Sequence, residues 1–162
     1  MSGERARGRI PGGVIGLIGG AMTGLAYLAL PTATVPFIGS LRAPELAGAV
    51  PGVTSLAFLP IVPVLALVNI GLGLWLILGK PSGRSQRIAA IGLIGSAALI
   101  GFAYLLPFAR LQNELTGSGV SSYGITATTF TGGGFWLAVI GAVVTAAGAA
   151  VELSGARTRS DA

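Results

Sequence analysis

Four long apolar runs, at residues 10–30, 56–78, 88–108 and 134–153, leave this chain of 162 residues few ways to fold. Each is near the ~20 residues that carry an α-helix across about 30 Å of hydrocarbon at 1.5 Å per residue. No water reaches a lipid core to satisfy backbone N–H and C=O groups, so a spanning segment must be a helix or part of a closed barrel. The runs lack the two-residue alternation of barrel strands. The expectation is an all-α membrane protein: one integral membrane domain built as a four-transmembrane-helix bundle.

Charge sets the orientation. Arg5, Arg7 and Arg9 precede the first run, Lys80, Arg84 and Arg87 separate the second from the third, and Arg157 and Arg159 follow the fourth, which accounts for eight of the ten basic residues. Only Arg42 and Arg110 fall in the other two loops. The positive-inside rule therefore places both termini and the middle loop in the cytoplasm of a plasma-membrane protein, in agreement with an even number of crossings. A net charge of +5 raises nucleic acid as a partner, but the bases sit at helix ends without interleaved aromatic platforms. The partner they fit is the lipid bilayer with its anionic headgroups, and no nucleic acid is expected. The arginines before the first run also mimic a secretory signal. That run is too long for an ordinary signal core, and Pro31 spoils the cleavage site near its end, so it reads as a retained helix.

Cysteine and histidine are both absent, which removes disulfides, thiolate or imidazole metal sites, histidine-ligated haem and Cys or His nucleophiles. Five carboxylates in the whole chain give no acid/base pair at a common depth. The GSG and TGGG stretches lack the Lys and the strand-to-helix context of phosphate loops. No catalytic residue, cofactor or metal is expected, and the chain reads as non-enzymatic.

The first and third runs resemble each other. IGLIG occurs at 15–19 and at 91–95, Gly-x-Ala-Tyr-Leu recurs after it, and both copies end in Leu-Pro, with a one-residue shift between the blocks. Each is followed by a loop of about 25 residues and another run, as expected of a duplicated helical hairpin repeated in parallel. In the second loop, the alternation over 123–129 between glycine clusters predicts a short strand. Its partner would be 33–38 or 50–56, making a small extracellular β element. The tails, 1–9 and 154–162, are polar and expected to be disordered.

Small residues line the helices. Gly12, Gly16, Gly20 and Gly24 follow at four-residue steps, and Gly92 with Ser96, Gly101, Gly141 and Thr145 offer further points of close helix approach. Such faces seat helices inside one bundle or dock another subunit. Of the polar residues inside the runs, Thr23, Asn69, Ser96 and Thr145, Asn69 stands out, because a carboxamide at membrane depth needs an interhelical partner. Glu152 is expected to anchor the cytoplasmic end, reaching the interface or pairing with Lys80, Arg84 or Arg87. Arg42 with Glu45 and Arg110 with Glu114 form the remaining polar pairs, at ordinary helical ion-pair spacings. Pro60 and Pro63 fall in the first turns of the second helix, and Tyr27, Trp75, Tyr104 and Trp136 lie where interfacial anchors lie.

The LPF at 106–108 and the GGGFWLAVIGA at 132–142 give the chain a layout that resembles small four-span membrane proteins of high-GC bacteria, some broadly claudin-like. The W-x-x-G-L-W-x-x-C signature of claudins is absent, since the GLW at 73–75 lies inside the second run, so the resemblance implies the layout and no activity. The function this supports is an accessory or scaffold subunit that packs with other membrane proteins or as a homo-oligomer. The alternative is a small oligomeric transporter or channel, for which the four polar residues would have to face a shared water-filled cavity.

Overall fold

The computed structural model describes residues 12–35, 39–49, 54–79, 81, 83–117 and 130–160. Five helices account for most of these: α1 (Gly12–Ala29), α2 (Ala43–Ala49), α3 (Val62–Leu78), α4 (Arg84–Gly117) and α5 (Gly133–Ser160). A 3-10 segment, Thr54–Ile61, leads into α3, so that Leu56–Leu78 is one continuous apolar helical stretch. Four stretches are long and apolar enough to cross a membrane: this one, Gly12–Ala29, Arg84–Asn113 and Gly133–Ser154.

The four long helices run alternately up and down in a ring in which α1 touches α3 and α5, and α4 touches the same two from the other side. Burial explains the arrangement. On α3 the buried positions Leu59, Val62, Ala66, Asn69, Gly73 and Leu76 step by three and four residues, as do Phe135, Ala138, Ala142, Thr145 and Ala149 on α5. That is a seven-residue seam, which stays on one face of a helix with a drift of only about 20° per repeat. On α1 it appears as Gly12, Gly19 and Ala26 beside Gly13, Gly20 and Tyr27.

Four-residue steps behave differently. Each advances about 40° around a helix, so Gly12, Gly16, Gly20 and Gly24 wind across three neighbours instead of lining one face. A Cβ at Gly12 would collide with Gly148 of α5, one at Gly16 would lie 3.2 Å from Leu93 of α4, and one at Gly20 would lie 2.9 Å from Asn69 Cβ of α3. At Gly24 it would make an ordinary 3.8 Å contact with Ala66. The tightest seats are at glycines seven apart: Gly12 and Gly19 against Gly148, Gly141 and Thr145, and Gly13 and Gly20 against α3. Of the remaining small residues, Gly92 is exposed, with Leu72 Cδ1 3.2 Å from where its Cβ would be. Gly101 has nothing within 4 Å and takes no part in helix contact.

The two hairpins bury corresponding positions. Every buried residue of α1 has a buried counterpart 77 residues on, from Gly12 and Ala89 to Tyr27 and Tyr104. Because the IGLIG blocks are 76 apart, they are one residue out of step with this register. Gly16 and Gly19 are therefore buried while Gly92 and Gly95 are exposed.

The far ends of the hairpins diverge. Leu30-Pro31 ends α1 and opens β1 (Pro31–Val35), which pairs antiparallel with β2 (Gly39–Arg42), and Gly39 adopts a φ of 100° that favours glycine. Leu106-Pro107 ends nothing: α4 continues through Pro107 to Gly117, giving a helix about 51 Å long at 1.5 Å per residue. Packing outweighs the backbone hydrogen bond lost at Pro107, since Phe108 stacks on Phe135 with ring centroids 5.3 Å apart.

The small sheet exists, but within the first loop: β1 overlaps the expected 33–38, whereas 54–56 is 3-10 helical. The strand expected at 123–129 lies outside the described residues, although Thr131 bridges Ala33 and Gly132 N–H donates to Thr32 O at 2.9 Å. Gly134 approaches closely too, because a Cβ there would stand 2.8 Å from Leu30 O. Helix α5 runs on to Ser160, so residues 154–160 are helical, contrary to the disorder expected there, and the tail at 1–9 is outside the described residues. Trp75 and Trp136 are exposed as anchors are, but Tyr27 and Tyr104 are 7% and 2% exposed and belong to the core.

The glycine seats make a direct prediction. Ala at Gly141 would put Cβ 2.6 Å from Thr23 Oγ1 and 2.9 Å from Gly19 O, a backbone atom that cannot swing away. Gly141→Ala should cost about 1–3 kcal/mol, read as a lower unfolding midpoint in detergent, while Gly101→Ala should unfold no earlier than the parent.

Candidate functional site

The polar atoms inside the bundle gather at two levels. The first lies near the middle of all four spans. Thr23 and Thr145, fully buried, donate their hydroxyls to the carbonyls of Gly19 and Gly141 one turn back, both at 2.9 Å. Each threonine also meets the other's glycine: Cβ atoms built on Gly19 and Gly141 would strike Thr145 Oγ1 and Thr23 Oγ1. Across the ring, Ser96 Oγ contacts Asn69 Oδ1 directly and Leu93 O at 3.0 Å. A hydroxyl has one proton, so it can donate to only one of these acceptors. Turning the Asn69 amide lets Nδ2, otherwise buried without a partner, donate to Ser96 Oγ while the hydroxyl serves Leu93 O.

Two contacts in this layer correspond. Ser96 on Asn69 joins α4 to α3, as Gly19 on Thr145 joins α1 to α5. Every hydroxyl in the layer is thus turned onto a backbone carbonyl or a neighbouring amide within a packed helix contact. The arrangement ties helices together.

The second level is at the Gly12 end. Glu152 Oε1 accepts the Gly13 N–H at 3.0 Å, and Glu152 Oε2 accepts Gln86 Nε2 at 2.5 Å. One carboxylate from α5 thereby caps the free amides at the start of α1 and holds α4. Its negative charge also faces the positive end of the α1 dipole. The ion pairs expected from Glu152 to Arg84 or Arg87 are not formed, since neutral donors take both carboxylate oxygens; Lys80 lies outside the described residues. Gln86 was not among the expected polar residues. It sits seven residues before Leu93 on the buried seam, a spacing that would have marked it as interior.

The loop pairs part company. Glu45 Oε2 accepts the backbone N–H of Arg42 at 2.8 Å, a one-way cap at the start of α2 and not an ion pair with the guanidinium. Arg110 and Glu114 both lie on the stretch of α4 beyond Phe108, where Arg110 is exposed. Among the described residues no group of three His, Cys, Asp or Glu side chains assembles for a metal.

Glu152→Ala should cost about 1–3 kcal/mol, because it strands the Gly13 N–H and the buried Gln86 amide. Arg84→Ala and Arg87→Ala should each stay within about 0.5 kcal/mol of the parent. Chemical unfolding in detergent micelles measures both, and equal losses from the arginines would reinstate the ion pair. Compared with protein-family models, with curated proteins and with solved structures, the chain finds no match.

Proposed function

We propose that the protein is a non-enzymatic, multi-pass plasma-membrane protein with both termini cytoplasmic, acting as an accessory or scaffold subunit that packs against other membrane proteins or further copies of itself. The observation that carries this reading is the closed, uncharged centre: Thr23, Asn69, Ser96 and Thr145 are all within 5% of full burial and sit in helix contacts. A bundle without a path or a reactive group acts through its outer surface.

That surface suits a bilayer. Ile18, Leu25, Leu67, Ile91, Leu99, Ile140 and Val143 are among the large apolar side chains exposed around all four helices, an arrangement that is costly in water and ordinary in lipid. Arg84 and Arg87 lie at the same end as Gly12 and the last turns of α5, which supports a cytoplasmic placement of that end. The β-hairpin, α2 and the extension of α4 then face outward. Corresponding burial in the two hairpins supports their origin from one duplicated unit, with the sheet and the α4 extension as later divergences. The transporter or channel alternative needs the four polar residues on a shared water-filled cavity, and the bonds of Thr23, Ser96 and Thr145 to carbonyls of their own helices favour the packing role over it.

Purification from native membranes in mild detergent, followed by mass spectrometry of the intact complex, tests the proposal. The expected outcome is a reproducible assembly of fixed stoichiometry, with another membrane protein or with more copies of this chain, and no ion flux from proteoliposomes. A lone monomer across several gentle detergents would contradict the subunit reading, and flux abolished by Asn69→Leu would restore the channel.

A further inference from the structure

Glu152 gives both of its oxygens to neutral donors, and this leaves a consequence at the Gly12 end of the bundle. Among the described residues no carboxylate answers Arg84 or Arg87, and both side chains are exposed on the first turn of α4. They share a face with Ile88 and Ile91, which are 60% and 62% exposed, because positions 0, 3, 4 and 7 fall on one side of a helix. Further along the same face come Gly95 and Ala98, both exposed, and a Cβ built at Gly95 would meet nothing within 4 Å. Two unanswered guanidinium groups thus head an apolar track that falls into a shallow recess near the middle of the span.

We propose that this face of α4 is a binding site for one anionic phospholipid. The phosphodiester takes up the forked donors of Arg84 and Arg87, and an acyl chain lies along Ile88 and Ile91 into the recess at Gly95 and Ala98. From Ile88 to Ala98 the apolar track is about 15 Å long, which an extended acyl chain of ordinary length covers. Arginine holds phosphate oxygens bidentately in either lipid, and charge complementarity selects the headgroup, since the choline cation of phosphatidylcholine cancels the charge that phosphatidylglycerol keeps. The recess also gives a reason for Gly95, which stands where the first hairpin, 77 residues back, carries the exposed Ile18. The site rests on the reading of the chain as a membrane protein, not on its role as a subunit.

The test uses the full chain, purified in detergent and stripped of lipid, then offered phosphatidylglycerol and phosphatidylcholine with identical acyl chains and weighed intact by native mass spectrometry. The expected result is one retained phosphatidylglycerol, preferred over phosphatidylcholine by roughly tenfold or more. Arg84→Gln with Arg87→Gln should abolish the preference, and Arg84→Lys with Arg87→Lys should keep part of it. Gly95→Leu should weaken retention of both lipids and leave their ratio unchanged, which separates the chain recess from the headgroup contact. Soluble glycerol phosphate in excess should not displace the lipid. Equal retention of the two lipids, an unchanged preference in the double glutamine variant, or full displacement by glycerol phosphate would each overturn the proposal. Recovery of the protein from the soluble fraction without detergent would instead overturn the membrane reading beneath it.

Discussion

The close approach of α1 to two neighbours at once is the constraint on which the rest of the bundle depends. In the bilayer proposed for this chain a helix would gain little from hiding apolar side chains, so contact would come from surface fit and from hydrogen bonds that hydrocarbon cannot supply. Glycine provides the fit: Gly12 and Gly19 seat α5, and Gly13 and Gly20 seat α3, at separations a methyl group would forbid. With those two helices fixed on α1, the groove opposite receives α4, whose Leu93 reaches across to Gly16. In the polar layer Thr23 and Thr145 bond back to the carbonyls of their own helices while each packs against the other helix's glycine.

Much of this was legible in the chain, and the rest failed for identifiable reasons. Long apolar runs locate the four helices, because length and hydropathy are sufficient for that, but miss how far α4 and α5 continue beyond 108 and 153. The glycine stripe at four-residue steps is the wrong geometric reading: a four-residue step leaves the face, and a seven-residue step keeps it. The seven-residue spacing of Gly12 with Gly19, Gly13 with Gly20 and Gly141 with Gly148 was present in the sequence throughout. Gln86 was hidden for the same reason. The fate of the two Leu-Pro pairs was not readable locally, since Pro31 and Pro107 have like neighbours before them and differ in what packs after them. Glu152 likewise shows that proximity along the chain to Arg84 and Arg87 says little about pairing when unmet backbone amides compete for the same oxygens.

Function follows from where polarity is and is not spent. Inside the ring, the hydroxyls of Thr23, Ser96 and Thr145 bond to carbonyls of their own helices within packed contacts, and at the Gly12 end the Glu152 carboxylate caps α1 and grips α4. Outside it, large aliphatic side chains face outward on every helix, and the two arginines at the start of α4 are left without a protein counter-charge. The proposed role at the perimeter rests on that distribution.

The hub role of α1 is open to one direct measurement, because the chain has no cysteine to give background. A Cβ at Gly24 would lie 3.8 Å from Ala66 Cβ, inside the separation of about 3.5–4.5 Å that a disulfide needs. Gly24→Cys combined with Ala66→Cys, oxidised mildly in native membranes, should close within a single chain to near completion. The pair Gly101→Cys with Ala66→Cys should not react. Absence of the first product, or its appearance only between chains, would contradict the seating of α3 on the glycine face of α1.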